Sequence, residues 1–224
     1  MDSSISALAA QLQMPGPAPV VPVLSGLRRL LPAGGLRPGA AVRVQGSTAL
    51  TLALAAAATA AGTWCALIGF PDLGAGAALE LGVDLDRVHL VDRPGEHWEA
   101  AAAAYTEAAG VLLLRPGGAV GGPGVQRLLA QARRHGCALV VEGSQWPGAQ
   151  VQLEVTGRSW SGIAAGRGRL RGRRVTVVVG GRGAAAQGRE VDLWLPDEDG
   201  RVRLAGPAEL KGVRSGRARL AAVR

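Results

Sequence analysis

Free N–H groups in the first turn of a helix, together with the helix dipole, attract an anion. A strand that runs into a glycine and then a helix is therefore where a nucleotide phosphate sits. Residues 42–54, VRVQGSTALTLAL, have that order and make Gly46, Ser47, Thr48 and Thr51 the first candidate site. A working phosphate loop needs about eight residues, a second glycine to open the backbone, a lysine for the β and γ oxygens and a Ser or Thr for magnesium. Here Gly46 is followed only by Ser47, Thr48, Ala49 and Leu50 before Thr51. The loop is short and carries no counter-charge.

Two further parts of a nucleotide hydrolase can be checked independently. A magnesium-holding aspartate should end the later apolar strand, yet VLLLRP ends Leu114 with Arg115. A water-activating carboxylate should follow the second strand, where ALIGFPDLG presents Gly69, Phe70 and Pro71, leaving Asp72 as the candidate. Each missing group removes stabilisation of roughly 3 kcal/mol or more from the transition state. The expectation is a degenerate nucleotide site formed by Gly46, Ser47, Thr48, Thr51, Asp72 and Arg115, with no catalysis and no cofactor.

Other constellations are equally bare. His89, His97 and His135 have no HxxxH or HExxH spacing, and neither CxxC nor GxSxG occurs, so no metal site or nucleophile elbow is expected. Asp84 and Asp86 lie in the turn GVDLDRV, where acids cap or solvate. Cys65 and Cys137 sit in apolar strand-like runs and read as buried free thiols in a reducing compartment.

The elements that must hold these residues follow from periodicity. Residues 3–14 have apolar positions at helical spacing, stopped by Pro15, Pro17 and Pro19. A short helix and a Gly/Pro turn over 23–39 precede a strand at 41–46. Strands at 63–68, 88–91, 111–114 and 138–141 then alternate with helices at 50–61, 76–81, 98–109 and 123–135. That rhythm predicts an α/β fold, a mostly parallel sheet with helices on both faces. Strands at 151–156, 170–179 and 190–195, separated by Gly/Arg loops, should close it in antiparallel fashion. The organisation expected is an N-terminal helix and proline-rich linker (1–22), a core (23–196) and a basic, partly mobile tail (197–224).

Of 224 residues, 48% are hydrophobic and 19% charged, which excludes wholesale disorder. The longest apolar stretch, 50–61, is too short to span a membrane, and the N-terminus lacks the pattern of a secretory signal. A cytoplasmic protein without membrane contact is expected. Residues 1–150 carry balanced charge, so the whole net charge of +8 sits in the last third.

Much of that excess lies in GRGRLRGRR, with Arg167, Arg169, Arg171, Arg173 and Arg174. Together with Arg158, Trp160 and Arg182 these are candidates for nucleic-acid contact, since guanidiniums neutralise phosphates and an aromatic ring can stack an unpaired base. Two other readings stand beside it: arginines alternating along one face of an extended strand into water, and a dock for an acidic protein. In the tail, Leu210, Val213, Arg217, Arg219, Leu220 and Val223 could form a short amphipathic helix on a partner.

The order of pieces resembles the RecA recombinase core over roughly Val23 to Pro196. The segments VLSGLRRLLPAGGLRPGAAVRVQG, GTWCALIGFPDLGAGAALELGVDLDRVHLVDRP and RRVTVVVGGRGAAAQGREVDLWLP carry the likeness, with LGVDLDRVHLV its most specific part. On that alignment Gly46 takes the place of the first loop glycine and Thr51 that of the loop Ser/Thr. Pro71 stands for the catalytic glutamate and Arg115 for the magnesium aspartate. Within that superfamily the chain is most similar to the RecA-like accessory proteins of the actinobacterial mutasome, the ImuA-prime type. The resemblance implies a non-catalytic role in damage-induced (SOS) translesion synthesis, with an ImuB-type Y-family polymerase homologue as partner. It extends to a DnaE-type error-prone polymerase, RecA or single-stranded DNA. The alternatives are a RecA- or DNA-binding paralogue that restrains recombination and a cell-division inhibitor of the SulA type.

Overall fold

The unbroken apolar runs CALI, VLLL and ALVV have no polar side to turn to water, so they belong in the middle of a sheet covered on both faces. The computed structural model describes residues 20–118, 120–143, 146–164, 167–206 and 209, without the side chains of 163–168. A 3₁₀ turn (Ser25–Leu30) precedes β1 (Ala41–Gln45), α1 (Thr48–Ala60), β2 (Cys65–Ile68), α2 (Ala75–Glu80) and β3 (Val88–Val91). Then come α3 (Trp98–Ala108), β4 (Val111–Leu114), α4 (Gly122–His135), β5 (Ala138–Glu142) and β6 (Val151–Trp160). A small hairpin of β7 (Ile163–Ala164) and β8 (Arg167–Gly168) leads to β9 (Arg173–Gly181), β10 (Arg189–Trp194) and β11 (Arg203–Leu204).

Nine of these strands form one sheet in the order β11-β10-β9-β6-β1-β5-β4-β2-β3. From β6 to β3 every pairing is parallel, and from β6 to β11 every pairing is antiparallel. One face of the sheet is covered by the 3₁₀ turn, α1 and α2, and the parallel half of the other by α3 and α4. α1 is buried around its circumference: Leu50, Leu52, Leu54 and six other residues of the helix are shut away from water. Its alanines let the backbone lie close to the sheet. Its two buried threonines bond to their own helix, Thr51 to the Ser47 carbonyl at 3.2 Å and Thr59 to that of Ala56 at 2.9 Å. The thiols of Cys65 and Cys137 are both pushed up to about 12 by burial, which keeps them protonated and inert.

The predicted α/β alternation and the antiparallel end are thus those of the molecule. Two details differ. β6 runs to Trp160, beyond the expected end at 156, because a bulge between Val155 and Gly157 restores its pairing with β9. The alternating arginines do not share one extended strand: Arg167 lies in β8, Arg169 and Arg171 in a connection, and Arg173 opens β9. The backbone turns there because the Arg169 N–H donates to the Gly162 carbonyl, the Arg171 N–H to the Ser161 carbonyl and the Ser161 N–H to the Gly172 carbonyl, closing the base of the hairpin. The expected helix at 3–14 and its linker lie outside the described residues.

The sheet also continues past Pro196. Asp197, buried, accepts from the N–H groups of Asp199 and Arg201 and from Arg203 Nε at 2.7 Å. Arg203 in turn donates to Glu209 Oε1 at 2.9 Å and lies over the Trp194 ring. Burial alone would raise the Asp197 carboxyl, but the Arg201 N–H, the Arg203 guanidinium and the Asp199 N–H hold it below its ordinary value. Glu209 is lowered to about 2, first by Arg203 and then by the Gly206 N–H. Carboxyl groups depressed in the folded state contribute stability that is complete above their unfolded value and is lost as pH falls through the folded one. Residues 197–209 should therefore loosen from the sheet as pH drops from about 4.5 toward 2, while the core persists longer. Amide hydrogen exchange of β11 across that range checks it; protection that stays level with β9 would contradict the assignment.

Candidate functional site

In open α/β sheets, ligands bind outside the carboxyl ends of the strands, where the strand order reverses. β1 is central in this sheet, and Gly46, Gly69, Arg115 and Glu142 stand at the carboxyl ends of β1, β2, β4 and β5. Ser47 caps α1, its hydroxyl accepting from the Leu50 N–H at 3.2 Å, so that side chain is committed to the helix. Thr51 is fully buried and bonded within α1.

The remaining residues close the site. Thr48 Oγ1 donates to Glu142 Oε1 at 2.8 Å, and Arg115 Nη2 donates to Thr48 Oγ1 at 2.8 Å and to Glu142 Oε1 at 2.9 Å. The Arg115 guanidinium lies 4.5 Å from the centre of the Phe70 ring, which supports it from below. Close approach is possible because Gly69, at φ +84°, has no Cβ: one built there would sit 2.1 Å from the Arg115 carbonyl oxygen. Arg158 Nη2 donates to the Gly46 carbonyl from the neighbouring strand. Glu142 Oε2 is buried and has no hydrogen-bond partner among the described residues.

Five of the six residues expected at the degenerate nucleotide site are thereby brought together. Asp72 is not among them: it is exposed on the turn before α2, with no hydrogen bond or ion pair among the described residues. Sequence reasoning missed Glu142. Its signal was an acid ending the otherwise apolar strand ALVVE, at a strand end that had not been searched for one. Among the described residues no group of three or more His, Cys, Asp or Glu side chains is placed to hold a metal ion.

The basic candidates divide into separate places. Arg158, Trp160 and Arg173 share one face near the carboxyl end of β6, with Trp160 55% exposed and the Arg173 guanidinium 5.6 Å from its ring. Burial and the nearby Arg158 cation lower the Arg173 pKa, and its Nε donates to the Leu195 carbonyl at 2.8 Å. Arg169 and Arg171 are exposed in the connection between β8 and β9. Arg174 faces the opposite way and donates to the Glu209 carbonyl. Arg182 lies at the far end of β9, roughly 30 Å away at about 3.3 Å per residue. The Arg167 side chain and Leu210, Val213, Arg217, Arg219, Leu220 and Val223 lie outside the described residues.

Removing one member of the closed contact leaves a partly buried charge unmatched. Arg115→Met and Glu142→Gln should each cost about 1–3 kcal/mol, discounted because Arg115 keeps 31% of its side chain exposed. The double variant Arg115→Met/Glu142→Met should recover part of that loss. Urea denaturation of the four proteins measures the coupling, and strict additivity would show that the contact is not a unit.

Residues 29–148 match the MT3502 N-terminal domain, a span from within the 3₁₀ turn to just beyond β5 that includes Thr48, Arg115 and Glu142. Over 164 residues, 69% of this chain and 79% of the relative, the chain is 34% identical to the uncharacterized protein Rv3395c of Mycobacterium tuberculosis. With the family's domain covering β1 to β5 and the likeness to Rv3395c spanning more residues than that domain, the chain belongs to the MT3502 N-terminal domain family.

Proposed function

We propose that this protein is a RecA-like accessory factor without nucleotide hydrolysis. In this reading it scaffolds an ImuB-type polymerase homologue and an error-prone DnaE-type polymerase during damage-induced translesion synthesis. The observation that carries the reading is the contact among Thr48, Arg115 and Glu142. In a RecA-like hydrolase that volume takes phosphates, a lysine and magnesium. Here a cation and a carboxylate of the same chain neutralise each other in it, so neither a triphosphate nor a metal finds an unmatched charge. What remains is a sheet braced on its helices, a rigid frame suited to holding other proteins.

The rim formed by Trp160, Arg158 and Arg173, with Arg169 and Arg171 beside it, supports a contact with single-stranded DNA within the same assembly. An exposed indole next to guanidiniums offers both stacking and phosphate neutralisation. That feature also favours the second reading, a DNA-binding paralogue that restrains recombination.

Calorimetric titration with ATP and magnesium should give no binding heat, and the purified protein should co-elute with the ImuB-type homologue. Magnesium-dependent phosphate release, or co-elution with RecA alone, would defeat the scaffold reading. For the rim, Arg169→Glu/Arg171→Glu should lower the salt slope of oligo-dT retention by roughly two units, one per lost phosphate contact. Trp160→Ala should weaken it by about 1–3 kcal/mol. Retention unchanged in both variants would remove DNA from the proposal.

A further inference from the structure

A cleft of about 690 Å³ opens at the opposite edge of the sheet, beside the amino end of β1. Its walls are the turn after the 3₁₀ element, the last turns of α4, residues 147–151 and the turn that follows β9. Gly39 brings two of these walls together. Its φ is +73°, its N–H donates to the Cys137 carbonyl, and a Cβ there would sit 2.7 Å from Arg133 Cα. A third wall is tied by the Arg182 N–H, which donates to the Gln150 carbonyl at 2.9 Å, while the Gln150 N–H reaches the Ala41 carbonyl.

Arg37, Arg133 and Arg182 stand around this cleft, one from each of three separate segments. All three are exposed, and none has a side-chain hydrogen bond or ion pair among the described residues. No described lining residue is acidic or aromatic. The floor is aliphatic, with Leu31, Val42 and Leu129 each nearly buried. What sets these three guanidiniums apart is that they converge from separate segments over one aliphatic floor.

We infer that this cleft is a docking site for an acidic segment of a protein partner that carries aliphatic side chains among its carboxylates. The guanidiniums would take the carboxylates in charge-assisted, bidentate pairs, and the floor would take the aliphatic groups. Such a volume accommodates a few side chains, within the size range of specific pockets. Nucleic acid fits less well, since an unpaired strand gains its sequence-tolerant affinity by stacking on aromatic rings and this lining has none. The inference rests on the scaffold reading only for the partner's identity as a polymerase homologue. The cleft lies about a sheet's length from the rim at Trp160, so one protein could hold a partner at one edge and DNA at the other.

Fluorescence anisotropy with a short labelled peptide of alternating Asp and Leu tests the site without any polymerase. The wild-type protein should bind it, and Arg37→Glu/Arg133→Glu/Arg182→Glu should weaken binding at least about tenfold with an unchanged melting curve, because all three side chains are exposed. An Asn/Leu peptide and a poly-Glu peptide of the same length should each bind at least about tenfold more weakly, and the Arg169→Glu/Arg171→Glu rim variant should bind the Asp/Leu peptide normally. The inference is overturned by absence of binding, by equal affinity in the charge-reversed cleft, by poly-Glu binding as tightly, or by displacement of the peptide with oligo-dT. Co-elution of the ImuB-type homologue with the charge-reversed protein would sink the cleft as its dock while leaving the scaffold reading intact. Failure of the wild-type protein to co-elute would sink the scaffold reading while the peptide result stands.

Discussion

The carboxyl edge of this sheet is governed by one hydrogen-bonded ion pair. A guanidinium at the end of the apolar strand β4 would lie unpaired unless a carboxylate came to meet it. Glu142, ending the next strand over, does so, and Thr48 bridges the two from the first turn of α1. The arrangement reaches into the core. Gly69 is without a side chain where the Arg115 backbone passes, and Phe70 is fully buried beneath the guanidinium. A change at any of these positions acts on the others, since a half-satisfied network in low dielectric is worse than none.

Beside that ion pair the same edge carries an exposed indole and guanidiniums, and the opposite edge carries others. A buried, alanine-rich α1 and a nine-stranded sheet give stiffness, and the antiparallel half extends this frame past the helices that cover the parallel half. The exposed indole and guanidiniums at the β6–β9 end and the unmatched arginines of the cleft occupy opposite ends of the same strands. Because a sheet is rigid along its strands, two such features keep a fixed separation.

Much of the fold was legible because burial on both faces leaves a plain mark. CALI, VLLL and ALVV are four-residue runs without a polar member, and the helices between them have ordinary lengths and stops, as with Gly136 closing α4 in the left-handed conformation. The bulge that prolongs β6 left no such mark, since Thr156 and Gly157 are as compatible with a loop as with a strand that slips one residue. The short β11 was hidden for a different reason. A two-residue strand has no periodicity, and it is held by Asp197 and Glu209, contacts that need the chain already folded back.

The sequence by itself determined which residues stand directly after Gly46 and at the ends of the apolar strands: Ser47 and Thr48, Gly69, and Arg115. It also determined the α/β class, because hydrophobic period is a local property. Only the tertiary structure decided what fills the space, since Thr48, Arg115 and Glu142 are 67 and 27 residues apart along the chain and meet because β1, β5 and β4 are adjacent in the sheet. It likewise separated Arg182 from the other arginines and grouped it with Arg37 and Arg133, because an antiparallel strand carries its two ends to opposite edges of the molecule.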